Sequence, residues 1–278
     1  MSELPLVSIV TVVKNCVQHI EETIKSVINQ TYPNIEYIII DGGSVDGTVD
    51  IIKKYDDYID YWISEPDSGI SAAFNKGIRC CKGELIGLIN AGDKYEVDAV
   101  KTVVNTYLNS SGNVFYSDLK CIDEDGKEKY ILKAEKHVNK KTFKYRMPAV
   151  PHPTIFIKSC IYKHIMFDEN YHYAMDYDFL RNLVNKSYSF IYIDKPLSSI
   201  RIIGKSNIFF KETINEVYNI SIKFGDNKLI SYIYNKIYLY IKNCLIKKLN
   251  NHKHGKNILF IYRKIKTILR LNKYNQLE

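Results

Sequence analysis

The chain has 278 residues, 39 Lys+Arg against 31 Asp+Glu for a formal charge of +8, and 46% hydrophobic residues. At about 100–200 residues per domain this is one large domain or a domain with an appendage, with enough apolar content for a real core. Disorder, a collagen-like repeat and a small disulfide scaffold are excluded. The charge is unevenly spread: residues 206–278 hold 14 Lys+Arg and 4 Asp+Glu, which leaves 25 against 27 for residues 1–205. A basic tail on a nearly neutral body points to an anionic partner, membrane or nucleic acid.

The apolar start Leu4 to Val13 follows Glu3 and lacks a basic leader and a small-residue cleavage site, so it reads as a buried strand rather than a signal sequence. Val7 to Val13 is the first strand and Ile20 to Gln30 a helix, followed by a strand at Tyr37 to Ile40 and a helix from Thr48 to Tyr55. Tyr61 to Ile63, Leu85 to Ile89 and Val114 to Tyr116 read as further strands, with helices at Ser71 to Arg79 and Val97 to Leu108 between them. This alternation over short connections predicts an α/β fold with a Rossmann-like, mainly parallel sheet covered by helices on both faces. Ligands of such sheets bind beyond the carboxyl ends of the strands, where Asp41 and Asn90 to Asp93 stand.

From Asp118 to Arg146 the pattern breaks into charged segments that read as a hairpin, at Lys127 to Leu132, and a loop. Order returns with a strand at Thr154 to Ile157, a helix at Tyr177 to Asn185 and a strand at Ser189 to Ile193. Beyond Ser206 the composition turns to Ile, Tyr, Lys and Asn. Lys256 to Leu271 reads as a cationic amphipathic helix and Leu229 to Leu249 as a broader one, suited either to packing or to a membrane surface. The domains are therefore placed at 1–205 and 206–278. No stretch reaches the roughly 18 apolar residues of a spanning helix. Cys16, Cys80, Cys81, Cys121, Cys160 and Cys244 form no C-x-x-C pair and read as reduced thiols of a cytosolic protein.

The turn Asp41-Gly42-Gly43-Ser44-Val45-Asp46-Gly47-Thr48 joins a strand to a helix, its glycines permitting a tight turn and Asp46 or Thr48 capping the helix. A dinucleotide fold wants G-x-G-x-x-G after the first strand, where this chain has Lys14-Asn15-Cys16, and there is no P-loop. Asp41 is instead placed to accept from a base N–H or a ribose hydroxyl.

Val7-Ser8-Ile9-Val10-Thr11 with Asn15, Ser26-Val27-Ile28-Asn29-Gln30-Thr31-Tyr32, and Glu36 to Asp41 with the turn after it resemble the opening of family-2 glycosyltransferases with the GT-A fold. Ser64-Glu65-Pro66-Asp67-Ser68-Gly69-Ile70, Asn75-Lys76-Gly77-Ile78 and Gly87-Leu88-Ile89-Asn90-Ala91-Gly92-Asp93 are similar to a bacterial polysaccharide-assembly branch of it. The resemblance covers about residues 5 to 205. It implies that Asp41 hydrogen-bonds the nucleobase, usually uracil, with Thr11 and Asn15 lining the nucleotide pocket. Asp67 and Asn75 would help form that pocket, and Lys76 would approach the diphosphate.

Asn90-Ala91-Gly92-Asp93 matches the place of the family's D-x-D motif, which presents carboxylates to a Mn²⁺ or Mg²⁺ ion bridging the donor's phosphates. Here Asp93 supplies a carboxylate and Asn90 an amide. His152, in Pro151-His152-Pro153-Thr154, opens the second half of the site as a metal ligand, a phosphate donor or an acceptor contact. Ala174-Met175-Asp176-Tyr177-Asp178 is similar to the family's acceptor-side acidic motif, which makes Asp176 the general base and Asp178 its rival on another helix face. Arg201 or Lys205, in a closing loop, would steady the diphosphate. His19, His137, His164, His252 and His254 carry no motif and are assigned nothing.

The resemblance implies an inverting, metal-dependent glycosyltransferase. It would move a sugar from a nucleotide-sugar donor, a UDP-sugar first among them, to a glycan or lipid-linked glycan. The basic tail would hold the enzyme on the anionic inner face of the cytoplasmic membrane. Three alternatives stand beside it: an inactive nucleotide-sugar binder, suggested by the single carboxylate of the metal motif; a nucleotidyltransferase, which wants a glycine-rich phosphate loop the chain lacks; and a nucleic-acid module. The tail's tyrosines interleave with isoleucine at helical spacing, which disfavours the last.

Overall fold

The computed structural model describes residues 4–202 and 210–239. The chain divides into two compact units, Met1–Phe210 and Lys211–Glu278. The expected boundary near residue 206, Lys205, the expected helix at 256–271 and the second half of that at 229–249 fall outside the described residues.

The first unit runs β1 (Val7–Val13), α1 (Ile20–Ile28), β2 (Ile35–Asp41), α2 (Thr48–Lys54), β3 (Tyr61–Ser64), α3 (Ile70–Cys80), β4 (Leu85–Asn90), β5 (Lys94–Tyr95) and α4 (Ala99–Leu108). It continues with β6 (Val114–Ile122), β7 (Glu128–Leu132), β8 (Phe156–Lys158), α5 (Ser159–Tyr162), α6 (Met175–Asn185) and β9 (Phe190–Arg201). One mixed sheet has the order β3-β2-β1-β4-β8-β6-β9-β5, with β7 paired to β6. β3, β2, β1 and β4 are mutually parallel, as the alternation predicts. Beyond β4 the pairing changes: β8 is antiparallel to both β4 and β6, β6 and β9 are parallel, and β5 is antiparallel to β9.

β1 is a β-branched run buried along its whole length, as a central strand covered on both faces must be. On one face Ile9 and Ile39 pack with Ile20, Ile24 and Val27 of α1 and with Val100 and Val103 of α4. On the other, α3 approaches so closely that a Cβ at Gly77 would stand 2.3 Å from Cγ1 of Val10. The glycine lets the helix backbone lie directly on the sheet. This close seat matters for the site, because α3 carries side chains that reach the far half of the molecule.

The expected hairpin is β6–β7, closed by Asp123 N–H to the Lys127 carbonyl at 3.0 Å with Gly126 at φ +81°. β9 is much longer than the run from Ser189 to Ile193. Its partner β6 breaks register between Ser117 and Leu119, opposite the segment that contains Pro196, so the strand crosses a residue that cannot donate to the ladder. None of the five cysteines among the described residues is in a disulfide.

The second unit, as far as it is described, contains α7 (Phe210–Lys223), α8 (Lys228–Tyr232) and a π-helical continuation, Ile233–Tyr238. Asn227 caps α8, its Oδ1 accepting from Ile230 N–H at 3.1 Å. Ser231 and Asn235 are fully buried here, whereas Leu229, Ile230, Tyr232, Ile233, Ile237 and Tyr238 are exposed. No helix among the described residues is long and apolar enough to cross a membrane.

Candidate active site

The register brings three strand ends level, pairing Val13 with Asp41 and Val12 with Asn90. The loops that follow β1 and β2 then clasp each other. Asn15 adopts φ +50°, a left-handed conformation that asparagine tolerates. Its N–H donates to Ser44 Oγ at 2.7 Å, and its Oδ1 accepts from Val45 N–H at 3.0 Å. Asp46 accepts from Val17 N–H at 3.0 Å and from the Thr48 hydroxyl at 2.6 Å, and the latter bond leads in holding its carboxyl below the usual range. The two loops thus form a single wall.

That wall borders a cleft of ≈ 650 Å³ whose lining includes Lys14, Asn15, Asp67, Ser68, Gly69, Ile70 and Asn90. Asp67 accepts from Gly69 N–H at 3.0 Å, and a Cβ at Gly42 would stand 2.7 Å from its Oδ2, so a side chain there would push this carboxylate off the loop. The cleft therefore collects Asn15, Asp67 and Asn90 of the expected donor-side residues. It also receives the start of α3, whose first-turn N–H groups and dipole suit an anionic group. Sequence reading passed over that feature, although Gly69 ahead of the helical run signals it.

Other expected residues are engaged elsewhere. Asp41 is fully buried, and its carboxylate accepts from Gly43 N–H at 3.1 Å, Ser44 N–H at 2.8 Å, the Ser44 hydroxyl and Ser64 Oγ at 2.6 Å. It braces the loop from within. Thr11 does not line the cleft: it is fully buried and its hydroxyl meets Tyr37 Oη at 3.0 Å, on the face covered by α1. Lys76 is paired with Glu65 at 2.5 Å. Arg201, whose side chain is 6% exposed, pairs with Glu22 at 2.6 Å and donates to the carbonyls of Asp123 and Glu124. Lys76 and Arg201, the two described basic side chains that sequence placed near a diphosphate, thus each have an acidic partner.

At the end of β4, Asn90 donates weakly to Asp93 Oδ2 at 3.4 Å, and Asn90 Oδ1 is buried with no partner. Asp93 keeps an exposed edge, yet burial pushes its carboxyl up to about 7, with Asn90 giving the only relief. An orphaned amide oxygen beside a desolvated carboxylate is a hard-oxygen donor set and fits a divalent cation. Among the described residues no three His, Cys, Asp or Glu side chains are gathered for a metal, so the remaining ligands would come from the donor phosphates and water.

On the acceptor side, Asp176 lies in the first turn of α6, with its side chain 28% exposed. Asp178 is buried at 1%, with Asn182 Nδ2 at 3.2 Å from its Oδ2. The two carboxylates thus separate as their helix positions predict, and Asp176 is the accessible one. His152 Nε2 stands 3.9 Å from Asp176 Oδ1. Asn75, expected in the pocket, instead clamps the loop before α6. Its Nδ2 donates to the Phe167 carbonyl and to Glu169 Oε1, both at 2.9 Å, and its Oδ1 accepts from Phe167 N–H at 3.0 Å. Ser71, one turn earlier on α3, adds a bond to the Tyr171 carbonyl at 2.9 Å. Their i, i+4 spacing is the signal that one helix face serves both.

Residues 8–173 match the family model described as glycosyl transferase family 2. An uncharacterised glycosyltransferase of Rickettsia typhi is 29% identical over 223 residues, which is 77% of this chain and 68% of that protein. TuaG of Bacillus subtilis, a glycosyltransferase named for teichuronic acid biosynthesis, is 31% identical over 125 residues, 44% of this chain and 50% of TuaG. Among solved structures, residues 1–349 of S. aureus TarS in complex with UDP-GlcNAc match with a TM-score of 0.65 at 15% identity, covering 81% of this chain and 69% of that one. The chain spans 41% of a longer TarS chain. With the family model covering more than half of its length and the fold shared with GT-A enzymes, the chain belongs to glycosyl transferase family 2.

Proposed function

We propose that the protein is an inverting glycosyltransferase that transfers a sugar from a nucleotide-sugar donor, a UDP-sugar first among them, to a hydroxyl of a glycan or lipid-linked glycan in surface polysaccharide synthesis. The observation that carries this reading is the pairing of two halves on one scaffold. A cleft at the carboxyl ends of β1 and β4 suits the nucleotide diphosphate, and an accessible carboxylate, Asp176, starts the helix on the acceptor side. Asn15 and Asp67 offer polar groups to the nucleotide, and the first turn of α3 faces the phosphates. Asp41 shapes the wall from inside. Asp176 takes the acceptor proton as the acceptor oxygen attacks the anomeric carbon opposite the leaving diphosphate, which inverts the centre in one displacement. Asp93 and Asn90 would hold a Mn²⁺ or Mg²⁺ ion, whose positive charge would favour departure of the diphosphate.

Thermal stabilisation by a panel of UDP- and GDP-sugars, with and without Mn²⁺, tests the donor half. At about 100-fold excess over Kd, binding adds roughly 2.7 kcal/mol, and the melting midpoint rises by several degrees. A panel in which no nucleotide-sugar shifts the midpoint sinks the reading.

The second unit is proposed to rest on an anionic membrane at the inner face of the cytoplasmic membrane. Its helix buries Ser231 and Asn235 and turns Leu229, Ile233 and Ile237 outward, within a segment of 14 Lys+Arg and 4 Asp+Glu. Sedimentation with vesicles is expected to show binding to phosphatidylglycerol-containing lipid at low salt and little to pure phosphatidylcholine. Equal recovery with both would remove the electrostatic part of this proposal.

A further inference from the structure

Two polar atoms on the acceptor side face each other without partners. His152 Nε2 and Asp176 Oδ1 are each buried with no hydrogen-bond partner, 3.9 Å apart. The small chamber they border is lined otherwise by aliphatic and aromatic side chains, Leu88, Ile155, Phe167 and Phe179 among them. The separation is too long for a direct hydrogen bond. It is also too short for a bridging water, which holds its two partners about 4.5–5 Å apart. Buried polar atoms left in this state cost desolvation without return, and about 1 Å of side-chain movement cures both at once.

Both groups sit on segments that are anchored to the rest of the fold. The imidazole, 10% exposed, sits 5.1 Å from the Phe74 ring and 6.4 Å from the Phe167 ring, centroid to centroid. The short helical turn His152–Thr154 that carries it is pinned by Thr154 Oγ1, which donates to the Pro151 carbonyl at 2.8 Å and accepts from Ser117 N–H at 3.2 Å. From the opposite side, the Ser71 and Asn75 bonds fix the loop that delivers Asp176.

We propose that His152 is a positioning residue for the transfer: its Nε2–H donates to Asp176 Oδ1 and turns Oδ2 toward the acceptor hydroxyl. The inference rests on the reading of Asp176 as the base. In the step itself the acceptor O–H proton passes to Asp176 Oδ2, and the oxygen's electron pair forms the bond to the anomeric carbon. The bond to the nucleoside diphosphate breaks with its pair, and His152 neither gains nor loses a proton. Fixing one carboxylate oxygen matters because a base free to rotate spends most of its time misaligned.

The test uses the full chain and whichever UDP- or GDP-sugar of a panel it turns over fastest, followed by release of the nucleoside diphosphate. His152→Phe keeps the aromatic packing and removes the donor; His152→Gln keeps a donor at the same reach. The Phe variant is expected to lose about 10- to 100-fold in kcat with donor KM within about twofold, and the Gln variant to recover to within about threefold of the parent. A Phe variant as active as the parent, or a Gln variant no better than Phe, overturns the proposal. So does a loss of donor affinity and melting midpoint in both variants, which would make the role structural. Asp176→Asn run alongside separates the two readings: if it retains turnover, or if the parent turns over no donor, the assignment of the base falls and takes this inference with it. If it is inactive while His152→Phe is normal, only the inference falls.

Discussion

Asp176→Asn is expected to lower turnover by about 10²- to 10⁴-fold while donor affinity, read by calorimetry, stays within about twofold of the parent. Asparagine has the same shape, so the change removes the negative charge and its proton acceptance and little else. Asp176 is partly exposed and is not among the residues lining the donor cleft, which is why binding and chemistry should separate. Asp178→Asn makes the contrast, because that carboxylate is buried at 1% inside α6's packing. Its replacement should register first as a lower melting midpoint, with turnover per folded molecule retained. Equal turnover loss in both variants, or full turnover in Asp176→Asn, would remove Asp176 from the role of base.

The parallel half of the fold was readable because its signals are local. β1, β2 and β4 are mostly apolar runs, interrupted only by residues such as Ser8, Thr11 and Glu36, α1 repeats its apolar residues at helical spacing, and the glycine-rich turn after Asp41 closes within eight residues. The antiparallel half depends on partners far along the chain: the run from Thr154 to Ile157 announces a strand at β8 but not its antiparallel pairing with β4 and β6, and the two-residue β5 is a strand only beside β9. The same distinction divides the site. Asp176 and Asp178 separate by helix geometry alone. Lys76 and Arg201 were placed near phosphate because a basic side chain in a motif shows its charge but not its partner. Glu65 is 11 residues from Lys76, and Glu22 is 179 from Arg201. Thr11 was misplaced for a related reason. Strand alternation puts it on one face, but which face α1 covers is a tertiary fact. Asn75 carried the right motif and the wrong neighbour, since its partners Phe167 and Glu169 lie more than 90 residues away.

Asp93→Asn is expected to lower turnover by about 10²- to 10³-fold and to abolish whatever response to Mn²⁺ or Mg²⁺ the parent shows. The same variant should melt about 2–4 °C higher than the parent in metal-free buffer near pH 8. The two effects have one cause. Burial pushes the Asp93 carboxyl up to about 7, so above that pH the folded chain holds an ionised group that water solvates poorly and Asn90 relieves at only 3.4 Å. The sign follows from linkage: a carboxyl ionised near 3.8 in the unfolded chain and near 7 in the folded one costs stability progressively as pH rises between those values. An amide in its place removes that cost and keeps the shape. A site that is unfavourable on its own and neutral only with a cation present is what a residue retained for binding looks like, whereas a structural carboxylate would lose stability on the same change. Full turnover in Asp93→Asn, an unchanged metal response, or a lower melting midpoint without metal would each count against Asp93 as the oxygen donor of a cation site.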